Sequence, residues 1–362
     1  MLLAIFSGCD LIPTDDLKNE SKWIQLGGAF DNIIYDVKSD TQGKIYVSGG
    51  DLQNISVWDG VSWNRLGNVS ETFNGGVYPP ITVDNAGNVY AVGRITVPNA
   101  NSAYHVAKWD KLTNKWINLT SSKILFDNGI TAFAADKSGD LYAAGNVLGI
   151  NGITPGYYVY KWNGNTWSNL GGKLLSGYNI KLHTDNLNNI YASMGLNDKG
   201  SPFVARWSGS VWEELGGANS SDFGIGQLYC INSDSQGNIY GGGYFTNGMT
   251  ANNIYKWTKA TNTSSTFYTF ESTSDVNSIA FDEADTLYVA GNFTNSKNLR
   301  YIAKYHPDRK QWSDYYNLNA NNNINSICFD TDGNLYAGGE FTNKDNKYYV
   351  AVCRKKLKIT ID

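Results

Sequence analysis

Residues 40–50 read DTQGKIYVSGG. The same phrase returns as DNAGNVYAVG at 84–93, DKSGDLYAAG at 136–145, DNLNNIYASMG at 185–195, DSQGNIYGGG at 234–243, DEADTLYVAG at 282–291 and DTDGNLYAGG at 330–339. The leading Asp residues are 44 to 52 residues apart, a period that belongs to propellers and solenoids. Six residues after every Asp stands a Tyr: Tyr46, Tyr90, Tyr142, Tyr191, Tyr240, Tyr288 and Tyr336. Three further on comes Gly49, Gly93, Gly145, Gly243, Gly291 or Gly339, with Gly195 displaced by one in the fourth copy. Three residues before each Asp lies an apolar side chain: Val37, Ile81, Phe133, Leu182, Ile231, Ile279 or Ile327. Asp and Asn bond their own backbone in turns and Gly accepts positive φ, so each phrase reads as strand, tight turn, strand.

The second half of each unit carries an aromatic on each side of a Gly/Asn/Asp-rich turn, as in ISVWDGVSW (55–63), YVYKWNGNTW (158–167) and FVARWSGSVW (203–212). That is a second hairpin, giving four antiparallel strands per unit. A lone sheet of this kind leaves an apolar face uncovered, and stacking seven sheets around an axis covers them all. The chain opens with an orphan strand, KWIQLGG around Trp23, and its last unit stops after a third strand. The expected fold is therefore an all-β, seven-bladed propeller over residues 21–357, its ring closed by the N-terminal strand joining the last blade. A short tail, 358–362, follows.

Composition agrees with a β fold: 14% aromatic, only 17% charged, with 38 Gly among 362 residues. A formal charge of -4 gives no electrostatic reason to expect nucleic acid or an anionic membrane surface. Arg354, Lys355, Lys356 and Lys358 lack interleaved aromatics and read as a solvated tail. Residues 1–9, MLLAIFSGC, resemble the end of a bacterial lipoprotein signal. The resemblance implies removal of 1–8, lipidation of Cys9, a polar tether over 9–20 and a cell-envelope location. The anchor would be the chain's sole link to a membrane, since no later stretch is long and apolar enough to span one.

The strand order, the Gly pairs 49/50, 242/243 and 338/339, and the Trp/Tyr pairing resemble kelch-like, galactose-oxidase-type propellers over residues 21–354. This resemblance implies an architecture and leaves activity open, because such blades serve enzymes, adaptors and surface proteins alike. Copper chemistry is not expected, because His105, His183 and His306 fall in different blades. Cys230, Cys328 and Cys353 show neither metal spacing nor a disulfide framework and read as small buried hydrophobes. DTDGN at 330–334 lacks the Glu that would complete a Ca²⁺ loop and reads as a hairpin turn. No cofactor and no catalytic residue is assigned.

The recurring Tyr and Trp residues read as interblade core. Lys108, Lys161, Arg206, Lys256 and Lys304, each preceding a third-strand aromatic, are expected to make cation–π contacts with a neighbouring blade. The connections that vary between units emerge on one face, where binding residues usually reside. The position just after the second-strand Gly should ring that face near the channel mouth: Arg94, Asn146, Tyr244, Asn292 and Glu340, with Asp51 close by. These six are the expected ligand-binding residues. The leading expectation is a monomeric, envelope-anchored propeller that binds a glycan or protein without catalysis. One alternative is a polysaccharide-acting enzyme using mouth carboxylates such as Glu340 and Asp51. The other is a periplasmic assembly scaffold that pairs its strand edges with client strands.

Overall fold

The computed structural model describes residues 22–50, 55–67, 73–74, 80–95, 105–120, 126–147, 154–171, 180–196, 202–216, 225–247, 250–268, 270 and 274–355. Seven antiparallel sheets surround a central channel. Blade 1 is built from Ile34–Ser39, Ile45–Gly49, Ile55–Trp58 and Trp63–Arg65, and the order repeats to blade 6, ending at Gln311–Asp314. Blade 7 takes Ile324–Phe329, Leu335–Gly339 and Ala351–Cys353 from the end of the chain, then Trp23–Gln25 from its start. Trp23 lies opposite Cys353 and Gln25 opposite Ala351. The ring thus closes by the expected strand. Blade 2 departs from the four-strand plan: Phe73–Asn74, in the connection from blade 1, folds back to pair with Ile95 and Arg94.

The seven-fold Asp–Tyr spacing has one physical cause. In every blade the Tyr hydroxyl donates to Oδ2 of the Asp six residues earlier, at 2.9–3.4 Å. Oδ1 of the same Asp accepts backbone N–H groups of its own turn, as Asp330 does from Asp332 and Asn334. The phenol can then be buried, with Tyr191 at 0% exposure, because its polar end is satisfied. The Asp330 carboxylate is likewise consumed by its turn and by Tyr336, which explains why DTDGN behaves as a hairpin turn.

The Trp residues stitch successive blades. Cross-strand pairs Trp58–Trp63, Trp109–Trp116, Trp162–Trp167 and Trp207–Trp212 have ring centroids 5.3–5.5 Å apart. In blade 5 the register instead puts Ser264 opposite Trp257, and Phe267 packs on Tyr240 and Tyr305. In blades 1–4 the fourth-strand indole donates Nε1–H to the preceding blade: Trp63 to Leu26 O, Trp116 to Leu66 O, Trp167 to Leu119 O and Trp212 to Leu170 O. Trp23 makes the same bond to Tyr315 O, so the closing strand reproduces the interblade contact.

The basic residues before the third-strand aromatic correct one expectation. Lys108, Lys161, Lys256 and Lys304 sit over Tyr90, Tyr142, Tyr240 and Tyr288 of their own blades, at 5.0–5.7 Å. The cause is register, which places each Lys directly opposite that Tyr on the adjoining strand. Arg206 lies opposite Tyr191 and pairs with Glu213. At the tail, exposed Lys355 ion-pairs with Glu283.

Second-strand glycines answer two close approaches. A Cβ at Gly339 would collide with the Asn323 carbonyl at a β-bulge, and one at Gly338 would press on Ile34 and Val37 of blade 1. Cys230, Cys328 and Cys353 are free thiols.

Candidate functional site

The first strand of each blade contacts the first strands of both neighbouring blades, so these seven strands form the channel wall. Their exposed backbone edges are covered by side chains of adjacent blades. Ser326 Oγ accepts from Val37 N and donates to Asp36 Oδ1, Ile327 N donates to Ser278 Oγ, and Asn232 Nδ2 donates to Ile279 O. Edges that would otherwise be unpaired are thereby satisfied.

At the mouth facing the variable connections, the position after the second-strand Gly pairs with the beginning of the first strand. In blade 6, Asn292 Nδ2 donates to Asp275 Oδ2 at 3.0 Å and Asp275 N donates to Asn292 Oδ1 at 2.6 Å. In blade 7, Asn323 Nδ2 donates to Glu340 Oε2 at 3.2 Å and Glu340 N donates to Asn323 O. Two further amides join the blades here: Asn277 to Ile324 O and Asn325 to Ile34 O. Burial raises the Asp275 carboxyl above its ordinary range against the opposing bond from Asn292, and Tyr229 of blade 5 is raised by burial and by the charge of Asp275. Blades 5–7 thus present a half-buried arc of amides, a phenol and two carboxylates.

Of the expected binding residues, Asn292 and Glu340 belong to this arc. Tyr244 is half-buried opposite Gln227, and Asn146 lies opposite Tyr157 on the third strand. Arg94 pairs through its backbone with Asn74; its side chain, and all of Asp51, lie outside the described residues, as does Cys9. Asp275, Asn323 and Tyr229 were not foreseen. Their signal was available at the positions seven and five residues before the motif Asp, where blades 5–7 carry Gln227, Asp275, Asn323, Tyr229, Asn277 and Asn325.

A second unforeseen group lines the channel four and two residues before the motif Asp. Most blades place Ala, Ser, Thr, Cys or Asn there, but blade 1 has Asp36 and Lys38 and blade 4 has Lys181 and His183. Lys38 Nζ pairs with Asp36 Oδ1 at 2.8 Å. Burial opposes the Lys38 charge, but Asp36 outweighs it and holds the ammonium above its ordinary range. Burial pushes Lys181 down, with Cys230 and Asp36 partly compensating and Lys38 adding to the fall. His183 is pushed down to about 4 by burial and bonds Ser233 Oγ through Nε2 at 2.8 Å. Cys230 and Cys328 are each pushed up to about 12 by burial. At neutral pH these thiols are protonated and the imidazole is neutral, a poor set for nucleophilic chemistry. Among the described residues, no group of three or more His, Cys, Asp or Glu could hold a metal ion.

Seven four-stranded blades, closed through Trp23–Gln25, place the chain among seven-bladed β-propellers. Residues 253–359 match the model of a family described as the Rax2 C-terminal beta propeller domain. The chain matches no curated protein. Among solved structures it is similar to the extracellular domain of a protein described as a hybrid two-component system from B. thetaiotaomicron. That likeness has a TM-score of 0.64 and 15% identity, covers 93% of this chain, and spans only 40% of the other chain. It is also similar to virginiamycin B lyase from Staphylococcus aureus, with a TM-score of 0.62, 11% identity, and coverage of 92% of this chain and 100% of that one. At such identities the likeness is one of fold.

Proposed function

We propose that the chain is a binding module of the bacterial cell envelope, lipid-anchored at Cys9, which presents its variable mouth to a glycan or protein partner without catalysis. One observation carries the reading. The blade bodies repeat the same hydrogen bonds seven times, while the mouth position changes from Asn146 to Tyr244, Asn292 and Glu340. Packing demands sameness, and recognition demands difference. The Asp275–Asn292 and Asn323–Glu340 pairs hold their polar groups in fixed directions, which lowers the ordering cost of binding hydroxyls or amides. A lipoprotein-like start, kelch-like glycine pairs and a structural likeness to one extracellular domain support the location and the type.

The test is a glycan array and a proteomic capture with the chain, accompanied by reducing-end analysis of any glycan bound. Binding without new reducing ends is expected. Replacing Arg94, Tyr244 and Glu340 together should abolish it with unchanged melting. Retained affinity would show that another face binds, and turnover would displace the module reading in favour of an enzyme. Incorporation of labelled palmitate at Cys9 is expected, and its absence would remove the anchor.

A further inference from the structure

On the opposite face, where the DxxG turns lie, a cavity of about 330 Å³ opens between blades 2 and 3. Its volume is at the small end of the roughly 300–1,000 Å³ typical of small-molecule sites. Lys108, Lys137, Trp162, Asn85, Asn88 and Asp84 are among its lining residues. The same junction recurs around the ring, yet this one differs in charge. Its third-strand cation is Lys108, whereas blades 1 and 7 have Val57 and Val352 there. Lys161 is neutralised by Asp140 at 2.7 Å and Arg206 by Glu213 at 3.1 Å. Lys256 and Lys304 each lie over two aromatic rings, whereas Lys108 lies over Tyr90 at 5.7 Å.

The residue after the motif Asp adds a second difference. It is Lys137 in blade 3 but Thr41, Asn85, Asn186, Ser235, Glu283 or Thr331 elsewhere. Neither Lys108 nor Lys137 has an ion-pair partner among the described residues. Asp110, two residues beyond Lys108, is engaged by Leu112 N and Thr113 Oγ1 of its own turn. Asp84 is buried, and its carboxylate accepts Asn88 N, Asn88 Nδ2 and the Tyr90 hydroxyl. The cleft therefore holds two ammonium groups against one internally saturated carboxylate, with an indole and two amide side chains in its wall.

We infer that this cleft binds a carboxylated sugar ring of the uronic acid type. The two ammonium groups take the carboxylate, the exposed Asn85 amide suits a ring hydroxyl, and Trp162 offers an apolar surface for the C–H face of the ring. The small volume favours a single ring over an extended acidic peptide. The site is separate from the variable mouth, so the two readings can fail independently.

Calorimetric titration of the chain with methyl glucuronide, methyl glucoside and an acetylated Glu-containing tripeptide tests the inference. Saturable glucuronide binding is expected, about tenfold tighter than glucoside binding and weakened by salt, because the carboxylate supplies the discrimination. Lys137→Met, at an exposed position, should lower glucuronide affinity about tenfold without shifting the melting temperature, and Lys108→Met, which keeps an apolar stem but loses the charge over Tyr90, should lower it by a similar factor. Asn292→Ala and Glu340→Ala at the mouth should leave it unchanged. Equal binding of glucoside, tighter binding of the tripeptide, no glucuronide binding, or indifference to both Lys variants would each overturn it.

Discussion

The buried Asp–Tyr bond can be weighed blade against blade. In blade 1 the described partner of Asp40 Oδ2 is the Tyr46 hydroxyl at 3.0 Å, while Oδ1 accepts Gln42 N and Lys44 N. In blade 4, Asp185 Oδ2 accepts both the Tyr191 hydroxyl at 3.0 Å and Asn189 Nδ2 at 2.7 Å. Tyr46→Phe therefore strips one oxygen of a 3% exposed carboxylate, whereas Tyr191→Phe leaves its counterpart bonded. A hydrogen bond to a charged group contributes about 1.5–3 kcal/mol, and an orphaned buried acceptor costs more than a bond merely lost. Tyr46→Phe should cost about 2–3 kcal/mol and Tyr191→Phe about 1–2 kcal/mol. Urea unfolding followed by tryptophan fluorescence, at constant m-value, reads the difference. Equal costs, or the reverse order, would refute the assignment of the hydroxyl as the support of Oδ2.

The same bonds set an alkaline limit. All seven tyrosines are raised, chiefly by burial and then in most blades by the paired Asp, with Tyr142 pushed up to about 12. Above pH ~10 the unfolded chain loses phenol protons that the folded chain keeps, so this contribution is complete below pH ~10 and falls above it. Each tyrosine adds up to about 1.4 kcal/mol per pH unit to the fall. The phenylalanine variants should therefore lose stability less steeply, and a slope identical to that of the parent would contradict the linkage.

Deleting residues 21–27 removes the fourth strand of blade 7 and should unfold the chain; unchanged melting would refute closure by that strand. Gly338→Ala forces a methyl against Ile34 and Val37 and should cost about 1–3 kcal/mol, measured as a shift in urea midpoint. Lys181→Met should raise the unfolding free energy at neutral pH by up to about 1 kcal/mol, read as a higher urea midpoint, since an enclosed ammonium is replaced by an apolar chain. The lowered Lys181 pKa means that the native amine loses its charge first as pH rises, so the gain should shrink toward pH ~10. A gain that grows with pH would reverse the reading.

The blade count, the hairpins and the closing strand were legible because each rests on a residue every blade must carry. Tyr at Asp plus six has to bury its ring and reach a carboxylate in all seven blades, and the Trp that recurs at the fourth strand reaches a carbonyl of the preceding blade in blades 1–4 and, through Trp23, in blade 7. The partner of the strand-three cations was misjudged because recognising it requires the register between two strands, which spacing along one strand does not contain. The mouth was half legible: Asn292 and Glu340 stand next to an obligatory Gly, but Asp275 and Asn323 precede the motif by seven residues across a β-bulge that shifts the count. Lys181 is hidden for the opposite reason, and His183 stands out only as one of three histidines in different blades, since only comparison of the same position among blades marks the pair as unusual.

The repeat also limits where activity can reside. Seven motif carboxylates would be an abundant supply of acids and bases, but each Oδ1 is held by its turn and each Oδ2 by a tyrosine. Withdrawing one for catalysis would orphan a buried phenol in the same step. Groups free to meet a ligand must therefore stand where the fold imposes no partner: the mouth after the second-strand Gly, the channel row, and the residue following each motif Asp. A closed ring needs identical residues from blade to blade, and a site needs unlike ones. The residues that hold this propeller together and those proposed to recognise a ligand are consequently separate sets, and substitutions in the second are expected to alter binding while leaving the ring intact.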